Sequence, residues 1–167
     1  CQAARAAGHR EPVAALAVQA AGGWWLVDAT PDLPEQIHRM GTMPQGILLT
    51  HAHVGHYTGL MYLGREGIAE RRMPVYCSEK MADFLTHNAP WSQLVALENI
   101  VLLPFRAGDE IRLNPDLLVI PVEIPHRNEF ADTHGFRFRS SSDSADGLLY
   151  APDMDHARWM LTPGVHD

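Results

Sequence analysis

Residues Ile47 to Leu60 read ILLTHAHVGHYTGL, an unbroken aliphatic run followed by His51, His53 and His56. A short run this uniformly apolar predicts a strand buried on both faces, as at the centre of a layered α/β structure. The histidines come where that strand ends. A loop leaving a buried strand can turn several side chains towards one point above the sheet edge, and neutral imidazole is a good ligand for zinc and other first-row metals. His51 and His53 alternate, so both can face one ion. His56, three residues on, suits a chain that turns back to serve an adjacent ion. The plain alternative, polar residues on a surface loop, does not account for an HxHxxH spacing at a strand exit.

A metal needs further ligands, and two other apolar runs end in suitable groups. VIPVEIPHRNEF leaves a strand at His126, and GLLYAPDMD leaves one at Asp153. A carboxylate such as Asp153 can bridge two ions, and His126 can complete a three-histidine face on the first. Tyr57 is expected to pack. His87 and His134 read as solvent-facing or structural, and Glu129 and Asp132 either approach the cleft or, as is usual for a charged loop, are only solvated.

The surrounding pattern predicts strands and helices in one domain spanning residues 1–167. Val13 to Ala20 and Trp24 to Ala29 form a hairpin around Ala21-Gly22-Gly23. A helical turn covers Pro34 to Met40, with Asp32 or Thr30 as cap and Gly41 as stop. Gln45 to Thr50 is the next strand, and Thr58 to Glu70 reads as a helix. Pro74 to Cys77 is a strand, followed by a helix from Ser78, its N-cap, to Asn88. Ile100 to Phe105, Glu110 to Leu113, Leu117 to Ile124, Gly135 to Arg139 and Leu148 to Ala151 read as strands, the last two around a polar SSSDSADG loop.

Of the 167 residues, 46% are hydrophobic and 20% charged, which fits a folded globular chain. A net charge of -7 provides no basic footprint for a phosphate backbone, so nucleic acid is not the expected partner. No stretch approaches the ~20 apolar residues of a membrane span, and no signal peptide is apparent. The chain reads as soluble, and nothing in it marks a cellular location. Cys1 and Cys77 are too few for a disulfide framework.

The order LVDAT, LLTHAHxxH, a strand ending in PH, then LLYxxD resembles the metallo-β-lactamase fold superfamily. Within it, DATPDLPEQI, THAHVGHYTGLMYLGREG, PWSQL and PHRNEF are most similar to proteins resembling coenzyme PQQ synthesis protein B and to related phosphodiesterases. The resemblance implies an α/β (α+β) four-layer αββα sandwich with the site at one edge of its two sheets. It also implies that His51, His53 and His126 hold a first metal, that Asp153 bridges, and that His56 belongs to a second. Asp28 would be the carboxylate behind them, orienting the histidine loop. Three departures stand out. Gly55 occupies the place of the aspartate in the usual HxHxDH pattern. The chain ends before a last histidine ligand, His166 being read as a tail residue, so the sandwich is expected to be incomplete on its C-terminal side. Only Cys1 remains of an N-terminal structural zinc site, and both termini read as cut.

The resemblance implies a metal-dependent hydrolase in which a metal-bound water attacks an ester, lactam, thioester or phosphodiester of a small molecule, and Asp153, a carboxylate beside the metal, suits the general base. One firmly held zinc is expected and a second is weak or absent; iron or manganese could substitute. The alternatives are an iron-dependent oxidative enzyme of the PQQ-synthesis type and a metal-binding module without catalysis.

Overall fold

Ala21 and Gly22 turn the chain between β1 (Leu16–Ala20) and β2 (Gly23–Val27), with Gly22 at φ 90°, so the two strands pair antiparallel. This is the first hairpin of a computed structural model that describes residues 2–8, 12–140 and 147–155. Cys1, positions 141–146 of the polar loop and the tail with His166 lie outside the described residues. A short helix α1 (Gln2–Ala6) precedes the hairpin and contributes to neither buried core.

After β2 the helix α2 (Leu33–Met40) stops at Gly41, which adopts the left-handed conformation at φ 73° and returns its N–H to the Ile37 carbonyl. Asp32 does not cap α2 as expected, because its carboxylate accepts the Val13 N–H at 2.9 Å. The Thr30 hydroxyl instead accepts the Asp32 N–H and the Gln36 side-chain amide. β3 is shorter than expected, Ile47–Leu48, although Leu49 still donates to the Tyr76 carbonyl. It lies parallel between β2 and β4 (Met73–Ser78), and β5 (Ile100–Phe105) completes a five-stranded sheet in the order β1-β2-β3-β4-β5.

The helix expected over Thr58–Glu70 does not form. One α-turn, α3 (Val54–Tyr57), runs into a 3₁₀ segment, Thr58–Leu63, and Gly64 leaves extended at ψ 169°. The cause is tertiary. Gly59 donates to the Ala29 carbonyl at 2.8 Å, and a Cβ there would stand 2.0 Å from the Thr30 carbonyl oxygen. Only glycine lets the two segments approach so closely. α4 (Glu79–His87) starts as predicted, with the Ser78 hydroxyl accepting the Met81 N–H, and Trp91–Ala96, to which no element was assigned, forms α5.

The second sheet is wholly antiparallel: β6 (Ile111–Asn114), β7 (Leu117–Glu123), β8 (His134–Ser140) and β9 (Gly147–Tyr150), in that order. Trp25, Val27, Leu48 and Phe105 of the first sheet bury themselves against Leu113, Val119, Phe136 and Phe138 of the second. On the other face of the first sheet Leu26, Ile47, Val75 and Ile100 pack under Leu33, Leu60, Met81, Leu85 and Leu94 of the helical layer. The described residues thus build helix, sheet, sheet, three layers of the αββα sandwich. Because β2 and β3 are parallel to each other, and β7 and β9 each run antiparallel to β8, each pair ends together. The predicted site residues stand where these four strands end. Among the described residues no helix is long and apolar enough to cross a membrane.

Candidate metal centre

Asp28 follows the last residue of β2 at φ 68°, a left-handed conformation that aspartate tolerates better than most residues. Its fully buried carboxylate accepts the Thr50 N–H and hydroxyl at 2.9 Å and lies 2.8 Å from His56 Nδ1. Burial raises its pKa, against the lowering effect of His56 and Thr50. Burial pulls the His56 pKa down, but hydrogen bonds and charge from Asp28 and Asp153 outweigh it, and the net shift is upward.

The proton positions of the next two histidines follow from their partners. The Thr50 hydroxyl has one hydrogen and gives it to Asp28, so at 2.9 Å from His51 Nδ1 it must accept from that ring. His51 Nε2 is then a bare lone pair. On His53, Nε2 lies 2.8 Å from a Glu129 carboxylate oxygen, which accepts, so in the neutral ring Nδ1 is bare. His51 Nε2 and His53 Nδ1 face each other at 2.8 Å. His126 Nε2 lies 3.3 Å from the same His53 nitrogen, and an Asp153 oxygen lies 3.4 Å from His51 Nε2. Lone pairs converging in this way favour a proton or a metal ion among them. Burial and the neighbouring His56, His53 and His126 push the His51 pKa down to about 3, so His51 Nε2 stays an acceptor. One ligand atom each from His51, His53, His126 and Asp153 falls within 4.8 Å of the others, a group that could hold a metal ion and suits zinc by its donor types.

All the predicted site residues therefore meet at one place. His56 stands one step off this group, its Nε2 3.1 Å from the shared Asp153 oxygen. Tyr57 is buried and packs edge-on to Phe84 and against Trp91. The His134 ring is buried beside Phe105, and His87 is exposed on Asp83, and neither ring joins the ligand group. Asp132 binds the Ser78 hydroxyl. Sequence reasoning passed over Thr50, and of its two readings of Glu129 the structure takes the approach to the cleft. It also passed over Asp155, whose carboxylate lies 3.5 Å from His126 Nδ1. Thr50 could have been found as the hydroxyl next to the first histidine; loop carboxylates carry no such local signal.

A histidine and aspartate cluster at the shared edge of two packed sheets defines the metallo-β-lactamase type of fold. Residues 23–167 match the family described as the beta-lactamase superfamily domain, and the chain belongs to it. Among solved structures it is similar to a diphosphatase from the PhnP family, at 27% identity and TM-score 0.60, over 77% of this chain and 49% of that one. It is also similar to Zn(2+)-bound PqqB from Methylobacterium extorquens, at 18% identity and TM-score 0.70, over 91% and 57% of the two chains. The short form of human tRNase Z, ELAC1, matches at 16% identity and TM-score 0.59, over 82% and 60%. The chain thus spans about half to three-fifths the length of these structures. No curated protein matches it.

Proposed function

We propose that this chain carries the metal site of a metal-dependent hydrolase acting on a small molecule. The observation that supports this best is that one ligand atom each of His51, His53, His126 and Asp153 lies within 4.8 Å of the others, with His51 Nε2 and His53 Nδ1 facing each other at 2.8 Å. In this reading His51, His53 and His126 hold one zinc ion. When bound there, a zinc ion would lower the pKa of a water towards ~7 and would supply positive charge for a developing oxyanion. Asp153, poised between His51 and His56, orients the attacking water and takes its proton. Asp28 and Thr50 hold His51 and His56 in the tautomers that present Nε2 to the site.

The bond cleaved is an ester, lactam, thioester or phosphodiester, the range to which such chemistry applies. The test is to strip the chain of metal, reload it with zinc, iron(II) or manganese, and assay probes of these four classes together with oxygen uptake. Hydrolysis without oxygen uptake is expected, best with zinc. Oxygen consumption by the iron form alone would favour the oxidative alternative, and inactivity of every form a metal-binding module.

The reading also sets the number of ions. Gly55 offers no donor, and a Cβ at its place would lie 3.3 Å from Val13 Cγ1. His56 and Asp153 are then the only ligands proposed here for a second ion, too few for tight binding of zinc. Gly55→Asp, on ordinary helical backbone and with Val13 yielding slightly, is expected to raise the zinc retained after dialysis from one ion per chain towards two. Metal analysis that finds two tightly held ions in the unmodified chain would overturn the single-ion reading.

A further inference from the structure

Of the three histidines proposed as ligands, His53 is the least enclosed. Its side chain is 20% exposed, against 1% for His51 and 11% for His126. Packing therefore holds its ring least. Both ring nitrogens are potential ligands, and rotation of the ring would exchange the one that faces the cluster. What stands on the far nitrogen is Glu129, at 2.8 Å from Nε2. Exposed ion pairs usually contribute little to stability, so this contact does not explain itself as a fold element.

The segment that carries Glu129 is held from several sides. The Ile124 N–H donates to the Thr133 carbonyl, and the Thr133 hydroxyl to the Asn128 side chain at 3.0 Å. The His134 N–H donates to the carbonyl of Thr50, the residue before His51. Phe130, next in sequence to Glu129, lies on Phe84 of α4 with ring centroids 5.6 Å apart. The carboxylate is thus brought to His53 by a braced loop.

We infer that Glu129 is a positioning residue: it accepts the Nε2–H of His53, fixes that tautomer and ring orientation, and so keeps Nδ1 aimed at the metal ion. The inference rests on the metal-site reading above, but one of its readouts does not. In the metal-free chain with its imidazoles neutral, the nitrogen shifts and long-range proton couplings of His53 should show a single Nε2–H tautomer, and in Glu129→Ala a mixture. In competition with a chelator, Glu129→Ala should weaken zinc binding about 10- to 100-fold, the usual effect of losing such a partner. Glu129→Gln, which keeps a carbonyl acceptor, should recover most of it. Arg127→Ala removes only the other neighbour of Glu129, 3.4 Å away, and should change zinc affinity less than twofold. Glu129 is 44% exposed, so its variants should fold. A Glu129→Ala chain with an unchanged tautomer and unchanged zinc affinity overturns the inference and leaves the metal site standing. Failure of the unmodified chain to bind zinc while the tautomer shift appears overturns the metal reading and with it the role in holding an ion.

Discussion

With Asp153 as the proposed general base of the proposed hydrolase, Asp153→Ala is expected to lower kcat/KM by about 10²- to 10⁴-fold, the range that a positioned general base contributes. The chain should keep its fold, because the Asp153 side chain is 39% exposed and follows β9 rather than lying within it. It should also keep its metal, since His51, His53 and His126 remain. Kinetics and metal content measured on one preparation separate these effects. Loss of the ion along with activity would make Asp153 a ligand first and a base second, and activity within a few-fold of the original would remove it from the reaction.

The largest expected loss of stability belongs to Asp28. Its buried carboxylate is the common acceptor for the Thr50 N–H, the Thr50 hydroxyl and His56 Nδ1. Asp28→Ala leaves these donors without an acceptor in a place with no exposed surface, which is expected to cost about 3–5 kcal/mol, as when one partner of a buried pair is removed. Urea unfolding of the metal-free chain measures it. Asp28→Asn should lose less, since an amide oxygen still accepts from Thr50 and asparagine accepts a φ of 68°. Its amide nitrogen would then face His56 Nδ1 and favour the opposite tautomer of that ring. A loss below 1 kcal/mol for Asp28→Ala would show that this network does not hold the strand ends together.

What could be read in advance and what could not divide along a physical line. The buried strand before His51, the hairpin at Gly22 and the cap at Ser78 depend on neighbours in sequence, and each was visible in the order of residues. So were His126 and Asp153, because an abrupt change from apolar to ligating residues marks a strand exit wherever it occurs. The break at Gly64 and the 3₁₀ turn before it were not visible. They follow from the contact of Gly59 with Ala29 and Thr30, thirty residues earlier. The partner of Glu129, His53, was hidden for the same reason. A loop glutamate acquires a role only when folding brings an imidazole to it, and no local pattern announces that meeting. Asp32 shows the reverse case: a residue suited to capping was drawn off by the backbone of Val13, which arrives from the irregular segment before β1.

The cluster draws His51 and His53 from the first sheet and His126 and Asp153 from the second, so an ion held there would rivet the two sheets at their rim. Anything that binds only the assembled sandwich stabilises it by mass action, about 2.7 kcal/mol at a hundredfold excess over its dissociation constant. Removing the ion and prising the sheets apart would then be two views of one equilibrium, with chelator strength acting on the chain much as denaturant does.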